Sequence, residues 1–298
     1  MKNGKPQILL LGNGINRAFN SDSWDDLLNS VDEREERYDI GDYRCPETLK
    51  AILVTKDNVD KALQHEQERL GNLGTEKPEN QIRLLQRLLD MGFDEILTTN
   101  YSYELETAAL GQEKINENTL RRIQRHTDEV SRCEPSFMLH TYNLVEYNGS
   151  EQHIWHIHGE ARKPGSMIFG AYYYGNLLGK MIALNKKHGH YYESACLAGV
   201  SPKIRSWTDA FLVGDVYILG FGCGFAESDM WWLLNRKKRE KAAGKTFFYE
   251  LKPKQKINRA KMDLLGLMNV EIIYKSVSGD NWQSVYEWAV GDIEKRIR

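Results

Sequence analysis

The stretch QILLLGNGINRAFN, residues 7–20, decides how the rest of the chain is read. Four apolar residues, Ile8 to Leu11, break into Gly12-Asn13-Gly14-Ile15-Asn16-Arg17 and run on toward a helix. A buried strand that meets a glycine turn and a helix N-terminus leaves backbone N–H groups facing one point, and such a point favours a phosphate. The usual G-x-G-x-x-G fingerprint lacks its last glycine here, because Arg17 takes that place. Two readings stay open on this stretch alone: a dinucleotide site, or an ordinary strand-to-helix turn.

Working outward, further β-rich runs fall at residues 93–99, 152–158, 215–221, 246–251 and 270–274. Helical spacing of apolar residues predicts helices at 24–28 (with Ser23 as N-cap), 58–71, 80–91, 172–184, 191–198, 205–211, 228–241, 256–267 and 281–298. Residues 32–48 are charged and irregular and read as a loop, residues 166–169 as a short extended segment, and residues 103–147 as mostly polar and helical. The basic segment at 121–126 reads as a solvated helix face rather than a docking surface. Strands alternating with helices imply a mainly parallel sheet covered on both faces, an α/β fold formed by one domain over residues 1–298 with helical insertions near 32–91 and 103–150.

Bulk properties narrow the function classes. In 298 residues, 41% are hydrophobic and 28% charged, which suits a globular chain with a substantial core. A formal net charge of −2 gives no sign of nucleic acid or of an anionic membrane as partner. The first strand begins too early for a signal peptide, and no apolar run is long enough to span a bilayer. Cys45, Cys133, Cys196 and Cys223 lie far apart with no CxxC pair, which argues against a structural zinc site or a disulfide framework. The expectation is a cytoplasmic, reduced, soluble protein without a metal.

In a parallel sheet, ligands bind beyond the carboxyl ends of the strands, so the residues following each strand carry the chemistry. Those stretches are Gly12 to Arg17, Thr99 to Tyr103, His158 to Glu160, Gly220 to Asp229 and the segment after Glu250. An Asn that ends a strand is by itself most often a turn former, and a lone His is most often structural. Alternation along the third of these strands puts His156 and His158 on one face, with Trp155 and Ile157 on the other.

Together these residues resemble the sirtuin fold family, and within it the bacterial SIR2-like branch of NAD-cleaving proteins. Gly12-Asn13-Gly14-Ile15-Asn16 matches that family's GAGxS turn, and Thr98-Thr99-Asn100-Tyr101-Ser102 matches TQNxD. His158-Gly159 matches the catalytic HG, and Gly220-Phe221-Gly222 matches a later G-x-S turn that holds the cofactor. The ordered set spans the chain from Ile8 to Ile273. The resemblance implies a Rossmann-like sheet with NAD lying across the strand ends as substrate. Asn100 and His158 would then be catalytic. Gly12, Asn13, Gly14, Asn16, Arg17, Thr99, Tyr101, Ser102, Gly159, Gly220, Phe221 and Gly222 would bind the cofactor.

Departures from the pattern bear on which activity is expected. Ser102 stands where the family often has Asp, the paired CxxC zinc module of sirtuin deacylases is missing, and Ala171 replaces the glutamate that follows Phe169-Gly170 in their peptide-binding segment. Both losses favour an NAD hydrolase that yields nicotinamide and ADP-ribose over a protein deacylase. A non-catalytic NAD or ADP-ribose sensor is the alternative from another class. A plain dehydrogenase is disfavoured because no acidic residue follows about 20 positions on, and zinc hydrolysis through His153, His156 and His158 is disfavoured because no HExxH helix is present. Company in the family implies an antiphage defence effector, held in check as a homo-oligomer or by a separately encoded activator or sensor protein.

Overall fold

A computed structural model describes residues 5–19, 23–32, 45–56, 77–111, 121–124, 138–200 and 202–298. Eight strands form one sheet in the order β3-β4-β5-β2-β1-β6-β7-β8. They are β1 (Gln7–Leu11), β2 (Glu95–Thr98), β3 (Arg121–Gln124), β4 (Thr141–Tyr147), β5 (Ser150–His156), β6 (Asp215–Leu219), β7 (Thr246–Leu251) and β8 (Glu271–Lys275). Six of these, β5-β2-β1-β6-β7-β8, run parallel in the order of a dinucleotide-binding sheet, and β4 and β3 extend one edge antiparallel. The fold is α/β and Rossmann-like.

The described helices are α1 (Gly14–Arg17), α2 (Trp24–Ser30), α3 (Glu47–Thr55), α4 (Glu79–Leu89), α5 (Glu104–Leu110), α6 (Ala171–Leu197), α7 (Trp207–Val213), α8 (Ser228–Lys237), α9 (Arg259–Leu267) and α10 (Trp282–Ile297). Alternation along β1 sorts them into layers. Ile8 and Leu10 pack with Leu177 of α6, Phe211 of α7, Leu233 of α8 and Leu265 of α9. Leu9 and Leu11 face the other way, toward Leu85 and Leu88 of α4, Leu105 of α5 and Ala289 of α10. Both faces of β1 are thus sealed, each such Leu or Ile contributing about 1.5–3 kcal/mol of burial. A smaller cluster, Leu28 of α2, Ala51 and Val54 of α3, Tyr101, Met167 and Phe169, packs beside the strand ends. Ser23 caps α2 as expected, in a reciprocal capping box with Asp26.

Four expectations need correction. The described residues of 103–147 are not mostly helical: after the short α5 they supply β3 and β4, and β4 joins β5 through Asn148-Gly149, both at positive φ, in a two-residue hairpin. Part of the basic segment is therefore strand β3 at the sheet edge rather than a helix face, while residues 125–126 lie outside the described residues. The two helices expected at 172–184 and 191–198 are one, α6. Its polar middle is held by partners: the Asn185 Oδ1 accepts from Arg236 Nε at 2.7 Å, and His188 Nδ1 meets Asp209 Oδ1 at 2.9 Å. The segment at 166–169 is not a strand: Ser166 ends a 3₁₀ turn, Pro164–Ser166, and residues 167–169 belong to no regular element. The helix expected at 58–71 lies outside the described residues, as does most of the loop at 32–48. No described helix is long and apolar enough to cross a membrane.

Candidate active site

The strand order reverses between β1 and β6, and the two glycine turns meet there. Gly12 N–H donates to Leu219 O at 2.9 Å and Gly14 N–H to Gly220 O at 2.8 Å. A Cβ on Gly12 would stand 2.5 Å from Phe221 Cα, and one on Gly14 would stand 2.7 Å from Gly220 O. These glycines let two backbones cross in contact, and their amides are engaged by the end of β6 and the turn after it rather than aimed at a ligand. Gly220 itself has φ +70°, a conformation that favours glycine.

A cavity of about 760 Å³ opens over this crossing, within the roughly 300–1,000 Å³ of small-molecule sites. It is lined by eleven of the residues singled out from sequence: Asn13, Gly14, Arg17, Thr99, Asn100, Tyr101, Ser102, His158, Gly220, Phe221 and Gly222. The other three lie behind it. Gly12 forms the crossing, and Gly159, at φ +89°, packs against the Ser166 carbonyl. Asn16 is fully buried; its amide donates to Asn13 Oδ1 at 3.0 Å and its Oδ1 accepts from Gln81 Nε2 at 2.9 Å, tying the turn to α4.

Asn100 follows β2, with its backbone fixed on both sides. Its N–H donates to Thr98 Oγ1 at 3.1 Å, and its carbonyl receives His156 Nδ1 at 2.7 Å. The side-chain Oδ1 is buried without a hydrogen-bond partner. An unsatisfied buried amide oxygen is costly, about 1–3 kcal/mol, and in a cavity it is a group prepared for a ligand. Tyr101 anchors the loop, donating its hydroxyl to Ile168 O at 2.8 Å.

His158 lies just past the end of β5, where strand alternation no longer governs direction. It and His156 accordingly serve different partners: His156 meets Glu106, while His158 Nε2 meets Asp229 Oδ2 at 2.9 Å. Asp229 is fully buried in the first turn of α8. With Nε2–H donated to a carboxylate, the ring's lone pair belongs to Nδ1. Burial lowers the His158 pKa, but the charge and hydrogen bond of Asp229, with Glu227 adding to them, leave it raised above 6.5. Glu227 also faces the cavity and accepts the Tyr174 hydroxyl at 3.2 Å. Burial pushes its carboxyl up to about 7; His158 and the Tyr174 hydrogen bond pull against this, and Asp229 adds to it.

Two further carboxylates, Glu104 and Glu250, line the cavity. Ser102, where the family pattern has Asp, donates to both oxygens of Glu104 at 2.7 Å, and Lys77 lies 3.3 Å from Glu104 Oε1. A carboxylate is therefore present two residues beyond the expected place. At the end of β7, Glu250 meets Lys261 Nζ at 2.6 Å, and the same ammonium reaches Gly222 O at 3.2 Å. Asp229, Glu227, Tyr174 and Glu104 had no motif to announce them. Glu227 and Asp229 do fall in the strand-end stretch Gly220 to Asp229, and Glu250 borders the last of those stretches, the one rule that points to them. Buried Cys223, its thiol pushed up to about 12 chiefly by burial, is a poor nucleophile.

Donor atoms of His158, Glu227 and Asp229 lie within 4.8 Å of one another, near enough for a cation. Their hydrogen bonds instead run to one another and to Tyr174. No curated protein matches the chain. The SIR2-like domain matches residues 94–273, which takes in Asn100, His158, Gly220 and Asp229 but not the first glycine turn. That span is more than half of the chain. The chain belongs to the SIR2-like domain family.

Proposed function

We propose that this protein hydrolyses NAD at the bond between nicotinamide and ribose, releasing nicotinamide and ADP-ribose. One observation carries the reading: Asn100, with an unpartnered side-chain oxygen, and His158, held from behind by buried Asp229, line a single cavity at the sheet's switch point. NAD is the substrate that membership of the SIR2-like family points to.

Nicotinamide departs neutral from a cationic ring, so the leaving group needs little help. The protein's task is to orient water and stabilise an oxocarbenium-like ribose. Asn100 Oδ1 accepts from a ribose hydroxyl or from the attacking water, and as a neutral amide it does so without fixed charge. His158 Nδ1 takes the proton of the water as its oxygen bonds to the ribose carbon, while Asp229 holds the ring and stabilises the imidazolium. Exposed Arg17, on the cavity wall, meets the pyrophosphate. Buried Glu250 accepts from the hydroxyls of the far ribose.

Deacylation is the competing chemistry, and Ala171 in place of the peptide-holding glutamate speaks against it. Mass spectrometry separates the two. Hydrolysis gives free ADP-ribose from NAD alone; an acyl-lysine peptide consumed with formation of O-acyl-ADP-ribose would overturn the proposal. NAD binding without turnover under any condition would leave a sensor. The biological reading that goes with hydrolysis is an antiphage effector acting by NAD depletion in the cytoplasm, restrained by self-assembly or by a partner protein that contacts the segments near 32–91 and 103–150.

A further inference from the structure

Behind Asn100, on the side away from the cavity, a chain of buried polar groups has no part in the chemistry described above. His156, 1% exposed, sits between two acceptors: Nδ1 is 2.7 Å from Asn100 O and Nε2 is 2.9 Å from Glu106 Oε1. The same Glu106 oxygen accepts from Asn143 Nδ2 at 3.0 Å, and Asn143 Nδ2 also reaches Glu160 Oε2 at 3.2 Å. Tyr103, whose ring lies 5.3 Å from the His156 ring, donates its hydroxyl to that Glu160 oxygen at 3.1 Å and accepts the Arg162 N–H at 3.2 Å.

A backbone carbonyl can only accept, so Nδ1 carries a proton. Nε2 faces the Glu106 carboxylate, whose charge and hydrogen bond outweigh burial and raise the ring's pKa to about 9, so at neutral pH Nε2 carries the second proton. Both ring nitrogens therefore donate, as only the imidazolium can. The charge is neutralised in place by Glu106, and the ring cannot rotate without abandoning a bond on each side.

We propose that His156 is a positioning residue for NAD cleavage: clamped by Glu106, it grips the Asn100 carbonyl and fixes the turn that aims the Asn100 amide into the cavity. The assignment rests on the hydrolase reading, because it gives Asn100 a catalytic task. His156 never meets the substrate; it acts through the backbone of Asn100. Glu106 and Tyr103, from α5 and the turn before it, and Glu160, from the loop after β5, are the titratable groups that face it. Both carboxylates favour the doubly protonated ring, so the grip persists across neutral pH.

Two amide substitutions separate the bonds. In His156→Asn the side-chain N–H stands near the place of Nδ1–H and keeps the donor to Asn100 O; in His156→Gln it stands near Nε2–H and keeps only the link toward Glu106. With purified full-length protein, kcat for NAD cleavage should fall about 10- to 100-fold in His156→Gln, as misplacement by a fraction of an ångström can cause. KM should change little, and His156→Asn should recover much of the loss. The Asn100 backbone amide resonance should move in His156→Gln and stay near its original position in His156→Asn. Nitrogen-15 histidine spectra of the unchanged chain should show both His156 ring nitrogens protonated at pH 7.

Unchanged kcat in His156→Gln would overturn the assignment. So would equal losses in the two variants that track their melting temperatures, since that marks a purely structural role, and so would a singly protonated ring. If the unchanged protein cleaves no NAD, the hydrolase reading is what fails, and the two spectroscopic results then decide the clamp by themselves.

Discussion

Replacing Asp229 by Asn tests the His158 pair with almost no change of shape. The side chain is fully buried, its Oδ2 is 2.9 Å from His158 Nε2, and its Oδ1 is buried without a hydrogen-bond partner. An amide can still accept at one atom but carries no charge to stabilise the imidazolium formed when His158 takes a proton. A hydrogen bond to a charged group contributes about 1.5–3 kcal/mol, so kcat should fall about 10- to 150-fold. The pH profile should move as well. His158 must be neutral to act as a base, so the rate rises with pH through its raised pKa. Burial alone lowers that pKa, and it is chiefly Asp229 that opposes it; in Asp229→Asn the acid limb should therefore shift to lower pH. Nicotinamide release at saturating NAD from pH 5 to 9, with NAD affinity measured by calorimetry, gives both quantities. An unchanged kcat, or an acid limb that moves upward, would refute the pairing.

Other consequences follow from the same geometry. Gly12→Ala would drive a Cβ to 2.5 Å from Phe221 Cα; denaturant titration should show a loss of about 1–3 kcal/mol, and NAD affinity should drop with it. Chelation by EDTA should leave the rate unchanged, because His158, Glu227 and Asp229 act as proton-handling groups; loss restored by one divalent ion would reassign them to a metal. The His156 pKa is raised to about 9, burial opposing and the Glu106 charge outweighing it. Between its ordinary 6.5 and 9 the folded state holds the proton that the unfolded state releases. Its contribution to stability is thus full below pH 6.5 and lost as pH rises through 9. Unfolding titrations at pH 6, 8 and 10 should show that decline, and His156→Gln should flatten it.

The sheet was legible wherever burial imposed an unbroken apolar run. Ile8 to Leu11, Val216 to Leu219 and Phe247 to Tyr249 are unbroken apolar runs, as a strand covered on both faces favours. The antiparallel edge was harder: β4 reads Thr-Tyr-Asn-Leu-Val-Glu-Tyr, and its polar positions hid a strand although Asn148-Gly149 is a strong hairpin turn. The break expected within α6 failed for the opposite reason, since Asn185 and His188 find partners on α8 and α7 that are far away in sequence. At the site, glycines, Asn100 and His158 could be found because motif spacing and strand ends mark them. The groups that decide their behaviour, Asp229 for His158 and Glu106 for His156, lie 71 and 50 residues away, and only the folded chain brings them together. Asn16 and Gly159 illustrate the converse: motif positions whose role is to hold the turn rather than to touch the cavity.

The central claim is that His158, oriented by Asp229, converts a bound NAD into nicotinamide and ADP-ribose. Its most direct test is nicotinamide release by the purified protein beside His158→Ala, with NAD affinity measured for both. The account predicts cleavage by the unchanged chain, a rate at least about 100-fold lower in His158→Ala, and similar NAD binding in the two. Equal rates in the two proteins would contradict it.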